Sequence, residues 1–266
     1  MKIYISADIE GVAGITSWDE ARKDSNSYQE FQEQFSVEVG AACEGALAAG
    51  ATEIIVKDAH GTGRNIIGSY LPSGTKLIHG WSGHPQKMMQ ELDDSFDAAM
   101  MVGYHSAAGV KGNPLGHTFS SEKVYRLLIN DTIASEFLCN TYIAYTHNVP
   151  VIYVSGDEDL CTEVSLFNPL IKTTSVSKGI GESTMSLQPD DAKNLIKKDV
   201  QIALTTEFKN FDCPVPDNFK VELSYKNQSH AYKASYYPSA KQKDATTVCF
   251  ESNDYNAVLS FLLFVI

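Results

Sequence analysis

Cysteine is scarce and badly spaced for structural use. Five occur in 266 residues: Cys43, Cys139, Cys161, Cys213 and Cys249. The number is odd, the intervals are long and no CxxC occurs. This excludes a disulfide framework and a cysteine-type zinc site, and the thiols read as small buried apolar side chains in a reducing compartment. Long hydrophobic runs are also lacking. The longest, AVLSFLLFVI at 257–266, has about half the roughly 20 residues a membrane helix needs. It is expected to pack on the core, and no membrane partner is expected. No adequate apolar region follows MKIYISADIEG, so no secretory signal is read and the expected location is cytoplasmic. Positive charge is in deficit too, with 21 Lys+Arg against 33 Asp+Glu and a formal charge of −12. Such a chain repels phosphate backbones and anionic lipid, which argues against nucleic acid as a partner. Internal repeats, low-complexity tracts and long linkers are missing.

What is present is ordinary globular composition, 43% hydrophobic and 20% charged. The length suits one catalytic unit, with a core large enough to need no staples. Residues 3–7 (IYISA), 53–57 (EIIVK), 76–80 (KLIHG), 97–103 (DAAMMVG) and 149–156 (VPVIYVSG) read as strands. Tyr28, Phe31, Phe35, Val39, Ala42 and Ala46 recur at helical spacing, and Gly50 is a natural stop. A short helix is expected over 84–92 and another over 134–147. Alternating strands and helices imply a Rossmann-like α/β fold, a mostly parallel sheet with helices on both faces. Between 117 and 135 the pattern changes to β-branched and aromatic residues around the polar turn Asn130-Asp131, and 220–250 also reads as strands. The expected organisation is a core of about 1–103 and 141–204 with a smaller α+β subdomain of about 104–140 and 205–250.

The candidate strand ends carry the chemistry. The first runs into Asp8-Ile9-Glu10-Gly11, the second into Asp58-Ala59-His60-Gly61, the fourth into Gly103-Tyr104-His105, and the strand after 149 into Gly156-Asp157. In an open parallel sheet, ligands bind just outside the carboxyl ends of the strands. A lone Asp there is usually a turn residue or helix N-cap, which accounts for Asp58 and serves for Asp157 as well. Several carboxylates and imidazoles converging on one crevice are different: they would be costly to bury without a cation. Mixed oxygen and nitrogen donors without thiolate suit zinc, with manganese next. One carboxylate bridging two ions would give a paired-metal site. Alone, Glu136 reads as a helix-dipole partner and His117 as a surface or packing residue. His79, His84, His147 and His230 lack acidic or histidine neighbours at ligand spacing and read as structural.

Together, KIYISADIEG, IIVKDAHG, MMVGYHSAAG, GHTFS and INDTIASE resemble the zinc D-aminopeptidases encoded with dipeptide transporters, the DppA-like family. Each block is weak alone; five in order, over nearly the whole chain, are specific. The resemblance implies metal ligands Asp8, Glu10, His60, His105 and Glu136, with Asp8 shared by two zinc ions per chain, and a catalytic histidine at His117. It implies removal of an N-terminal D-amino acid from short peptides such as D-Ala-D-Ala, and assembly into a homodecamer of two stacked pentameric rings. The chain departs from the pattern between His105 and Glu136, at Gly-Thr-Gly after His60, and in its last 50 or so residues.

In that chemistry His117 would be general base, general acid or nucleophile, and Asp157 is a candidate for holding the substrate amine. Two rival readings accompany it. A phosphohydrolase would use Asp8-x-Glu10 with magnesium, but an oxygen-only site leaves His60 and His105 without a role. A non-enzymatic peptide-binding protein of a transport operon would need neither the constellation nor His117.

Overall fold

The computed structural model describes residues 1–206, 208 and 211–266. Seven strands form one sheet in the order β3-β2-β1-β4-β7-β8-β9: β1 (Lys2–Ala7), β2 (Glu53–Asp58), β3 (Lys76–Ile78), β4 (Ala98–Tyr104), β7 (Val151–Asp157), β8 (Lys172–Ile180) and β9 (Ser183–Ser186). All neighbours are parallel except β8 and β9. A second, antiparallel sheet runs β11-β12-β10-β5-β6. Its strands are β5 (Val124–Ile129), β6 (Thr132–Ile133), β10 (Phe219–Tyr225), β11 (Lys241–Gln242) and β12 (Thr247–Ser252). Asn130 and Asp131 turn β5 into β6 with φ of +51° and +63°, the left-handed pair that a two-residue hairpin demands.

Each face of the parallel sheet has its own core, so the strands are apolar on both sides. On one face Ile3, Ile5, Val56 and Met100 meet helix α2 (Tyr28–Ala48) and helix α5 (Pro189–Thr205). On the other, Tyr4, Met101 and Val154 meet α3 (Glu136–Thr146), α4 (Glu158–Phe167), α7 (Tyr255–Val265) and the inner side of the antiparallel sheet, through Leu127, Val221 and Phe250. The C-terminal apolar run is therefore α7, packed as expected, with Val258 and Phe261 fully covered. A four-residue helix α1 (Trp18–Ala21) and α6 (Gln228–Ala234) complete the helices among the described residues.

The expected helix over 84–92 is not formed. Its place holds a 3-10 turn at Lys87–Met89. Lys87 and Glu91 have φ of +47° and +68°, values an α-helix cannot contain. The cysteines are free as expected, but Cys213 and Cys249 are only half-buried.

The sheet order reverses at β1: β2 and β3 lie to one side, β4 and β7 to the other. The crevice beyond these carboxyl ends is the natural ligand position. Two glycines let backbones cross there. A Cβ on Gly11 would lie 1.7 Å from the Tyr104 carbonyl oxygen, and one on Gly103 2.1 Å from that of Asp8. The loop after β1 thus lies directly on the end of β4, tied by Gly11 N–H to Gly103 O at 2.9 Å.

Candidate metal centre

Asp8 and Glu10 leave β1 in a turn rather than in extended chain, yet both carboxylates reach the same ring. His60 Nδ1 is 3.2 Å from Asp8 Oδ1 and 3.1 Å from Glu10 Oε2. His60 sits in a loop stapled by Asp58, whose carboxylate accepts from Asn65 N and Ile66 N; that is the turn role expected of Asp58. On the other side, His105 Nε2 is 3.6 Å from both Asp8 Oδ2 and Glu136 Oε2. Glu136 opens α3 behind the N-cap Ser135, and its Oε1 accepts from Phe119 N at 2.7 Å. His117 Nε2 lies 3.6 Å from Glu136 Oε1. Its ring stacks on His105 at 4.4 Å between centroids, with Trp18 against it at 5.4 Å.

The three imidazoles share one arrangement. The ring nitrogen remote from the carboxylates lies 2.7 Å from Ala21 O in His60, 3.0 Å from Ser106 O in His105 and 3.0 Å from Leu115 O in His117. A carbonyl only accepts, so each remote nitrogen carries the hydrogen. The near nitrogen of each neutral ring is then a lone pair facing carboxylate oxygens. Such contacts repel unless a proton or a metal ion lies between them.

The electrostatics agree. Asp8, Glu10 and Glu136 are almost fully buried, as are both strand-end histidines. Burial and the adjacent Glu10 push the Asp8 carboxyl well above its usual range. Burial works against Glu10 and Glu136 as well, but the imidazoles beside them prevail. Glu10 falls well below the carboxylate range, and Glu136 falls to about 2 through His105. Burial disfavours charge on His60 and His105, yet the neighbouring carboxylates hold both well above the usual imidazole value. Without metal, protons must serve as counter-ions. Two buried atoms, Glu10 Oε2 and His105 Nε2, have no hydrogen-bond partner. Ligand atoms within 4.8 Å of one another form three triads: Asp8-Glu10-His60, Asp8-His105-Glu136 and Glu10-His105-His117. The donor set therefore fits one or two cations of the zinc class.

A cavity of about 1010 Å³ opens over this cluster, lined by Asp8, Glu10, His60, His117 and Glu136. Asp157 does not reach it, and its expected role as amine ligand is corrected. Asp157 is fully buried and its two oxygens accept from Leu160 N, Ser106 N, Ser106 Oγ and Asn113 Nδ2. It caps α4 and has no oxygen left for a substrate. It does support the site, since Ser106 presents its carbonyl to His105. Asn113, which sequence reasoning missed, donates to the Glu10 carbonyl at 2.9 Å. Trp18, Trp81, His84, Lys87 and Phe119 also line the cavity. Only the rarity of tryptophan, two in the chain, was a signal for any of them.

Residues 1–264 match the family described as D-aminopeptidase. The chain belongs to the D-aminopeptidase family. A D-aminopeptidase of Bacillus subtilis (strain 168) is 29% identical over 265 residues, covering 97% of this chain and 96% of that protein. The structure of the Zn-dependent D-aminopeptidase DppA from Bacillus subtilis, described as a self-compartmentalizing protease, superposes with a TM-score of 0.93 at 27% identity, covering all of this chain and 96% of that one. Family membership makes the chain a peptide-bond hydrolase and sets aside the phosphohydrolase and the non-enzymatic binding protein. Among the described residues, no helix is long and apolar enough to cross a membrane.

Proposed function

We propose that the chain is a cytoplasmic zinc aminopeptidase that removes an N-terminal D-amino acid from short peptides, using two ions. Asp8, Glu10 and His60 hold one ion, and Asp8, His105 and Glu136 the other. The observation that carries this reading is the pair of buried triads sharing Asp8, with each histidine's remote hydrogen committed to a backbone carbonyl. When bound, such an ion pair supplies Lewis acidity toward the scissile carbonyl and a water activated near neutral pH.

The chain's own residues supply the rest. His117 is the proton carrier. Burial and the adjacent His105 hold its pKa below the usual value, so at neutral pH it is a free base. Leu115 O fixes the hydrogen on Nδ1 and leaves Nε2 to take a proton from the nucleophile and return it to the departing amine. Trp18 and Phe119 flank it and limit water at the reacting bond. The third triad offers a second reading, with His117 as a ligand beside Glu10 and His105. Zinc retention on removal of His117 distinguishes the two.

The relative's self-compartmentalizing character supports a closed assembly, which we take to be the decamer of two pentameric rings. The two sheets would act as one catalytic unit, with the smaller subdomain, about 104–140 and 205–250, contributing His105, His117 and Glu136 to the site. The test is zinc per chain together with hydrolysis of D-Ala-D-Ala and L-Ala-L-Ala. About two zinc ions and a preference for the D,D-peptide are expected. A zinc-free chain at full activity refutes the metal reading, and equal rates on both peptides refute the stereochemical one.

A further inference from the structure

One cation in the cavity is held in an unusual way. Lys87 lies in the 3-10 turn on the wall nearest α3, at φ +47°. Its ammonium is 4.6 Å from the centroid of the Phe119 ring and donates to Leu262 O at 3.3 Å. Among the described residues no carboxylate comes within 4.0 Å of it. Burial pulls its pKa down to about 8, which still leaves it charged at neutral pH. Phe119 is itself left-handed, at φ +60°. Two non-glycine residues in a sparsely populated conformation thus touch across the cavity wall. Such conformations persist where surrounding structure fixes them, and they concentrate at ligand clamps.

The other cations of this region are accounted for differently. Lys23 donates to Arg64 O, and the Arg22 guanidinium lies over Trp18; both are exposed. Lys57 is fully buried beneath the cavity, on Asp58 O and Gly80 O. Lys123 donates to Ile266 O. An ammonium has three hydrogens. In Lys87 one is used on a carbonyl and the aromatic face takes part of the charge, so donor capacity remains toward the cavity.

We propose that Lys87 binds the C-terminal carboxylate of a dipeptide substrate and so sets a preference for dipeptides over longer peptides and amides. This rests on the aminopeptidase reading above. Phe119 spans the gap: its N–H touches Glu136 and its ring touches the Lys87 ammonium. An extended dipeptide reaches at most about 7 Å, of the order of one residue's breadth between the acidic cluster and the ammonium. With its amine end at the acidic cluster, the dipeptide places its carboxylate at Lys87. A third residue carries the carboxylate past it. A carboxylate entering a chain of formal charge −12 needs such a cation, because the carboxylates below repel it.

The test is steady-state kinetics of zinc-loaded Lys87→Met, Lys87→Gln and Lys87→Arg on D-Ala-D-Ala, D-Ala-D-Ala-D-Ala and D-alaninamide, with zinc content and melting temperature measured alongside. Both neutral variants should raise KM for the dipeptide about 10- to 100-fold, the loss of a charged hydrogen bond. Their kcat on the dipeptide and their kcat/KM on the amide should stay within about threefold of wild type. Lys87→Arg should recover most of the dipeptide KM, and the wild-type advantage of dipeptide over tripeptide should shrink in the neutral variants. An unchanged dipeptide KM, or an equal loss on dipeptide and amide, overturns the proposal. So does loss of zinc or of the folding transition in both neutral variants, which would make Lys87 structural. If the wild type cleaves none of the three compounds, the aminopeptidase reading itself falls and this proposal with it.

Discussion

Replacing Asp8 by alanine should remove both metal ions, whereas replacing Glu136 should remove one. Asp8 contributes Oδ1 to the triad with Glu10 and His60, and Oδ2 faces His105 in the triad with Glu136; Glu136 belongs to one triad alone. An ion bound only to the native state at about 100 times its Kd adds about 2.7 kcal/mol of stability. In a chain of this size each kcal/mol moves Tm by roughly 2–4 °C. Zinc should therefore raise wild-type Tm by roughly 10–20 °C, Glu136→Ala by about half that, and Asp8→Ala by almost nothing. Metal-free Asp8→Ala should melt no lower than the metal-free wild type. Burial and Glu10 already make the Asp8 charge unwelcome there, and the hydrogen bond lost, Ile9 N–H to Oδ1 at 2.9 Å, is a short local one. The assay is calorimetry with and without chelator, paired with elemental analysis. Two zinc ions per chain in Asp8→Ala, or a wild-type thermal response, would refute the shared-ligand argument.

Three further outcomes can be checked. His117→Ala should keep full zinc and a wild-type melting temperature while kcat falls about 10²–10⁴-fold, the usual worth of positioned acid–base catalysis; loss of zinc would make His117 a ligand instead. Asp157→Ala should cost roughly 2–4 kcal/mol in denaturant unfolding, because it uncaps α4 and strands the buried Ser106 N–H. It should lower activity as well, through the Ser106 carbonyl that orients His105, and a loss of stability alone would separate Asp157 from the site. Glu38, whose carboxyl burial lifts to about 7, has its folded-state pKa above its unfolded one. Its stabilising contribution is therefore complete below about pH 4.5 and lost as pH rises to about 7, so Glu38→Gln should gain on wild type by up to roughly 3 kcal/mol across that window; a pH-independent difference would show that Glu38 titrates normally.

The strand ends were legible because the chemistry there is written in short contiguous blocks. The hairpin at Asn130-Asp131 was legible because few residue pairs tolerate φ > 0 twice in succession. Other elements were hidden for physical reasons. β8, KTTSVSKGI, has no clean apolar alternation and was not assigned as a strand. α5 carries a proline at its first position and acids in its first turn, a legible start signal that went unused. The 84–92 segment has helical composition, but left-handed Lys87 and Glu91 break it, and no propensity scale marks a lysine or a glutamate for that conformation. The identity of Glu10 as a site residue was right for an incomplete reason, since a turn tied to Gly103, not an extended strand, aims it at His60. Asp157 shows the limit of the strand-end rule: position at a carboxyl end does not say whether the side chain turns into the crevice or back onto its own helix.

Topology also explains why Asp8 is the shared residue. β1 pairs with β2 on one side and β4 on the other, with Ala7 opposite both Asp58 and Val102. Neighbouring strands are about 4.8 Å apart, so the ends of β2 and β4 stand roughly 9.5 Å from each other. His60 follows β2 and His105 follows β4, too far apart at the backbone for one ion to draw on both with short side chains. A carboxylate at the end of the strand between them has two oxygens on opposite sides, and the structure turns one toward each imidazole, at 3.2 Å and 3.6 Å. Glu10 and Glu136 then complete the two triads from a turn and from a helix start. Moving the shared carboxylate to the end of β2 or β4 would leave one histidine out of reach, so the two-ion arrangement follows from the sheet order as much as from the ligand residues.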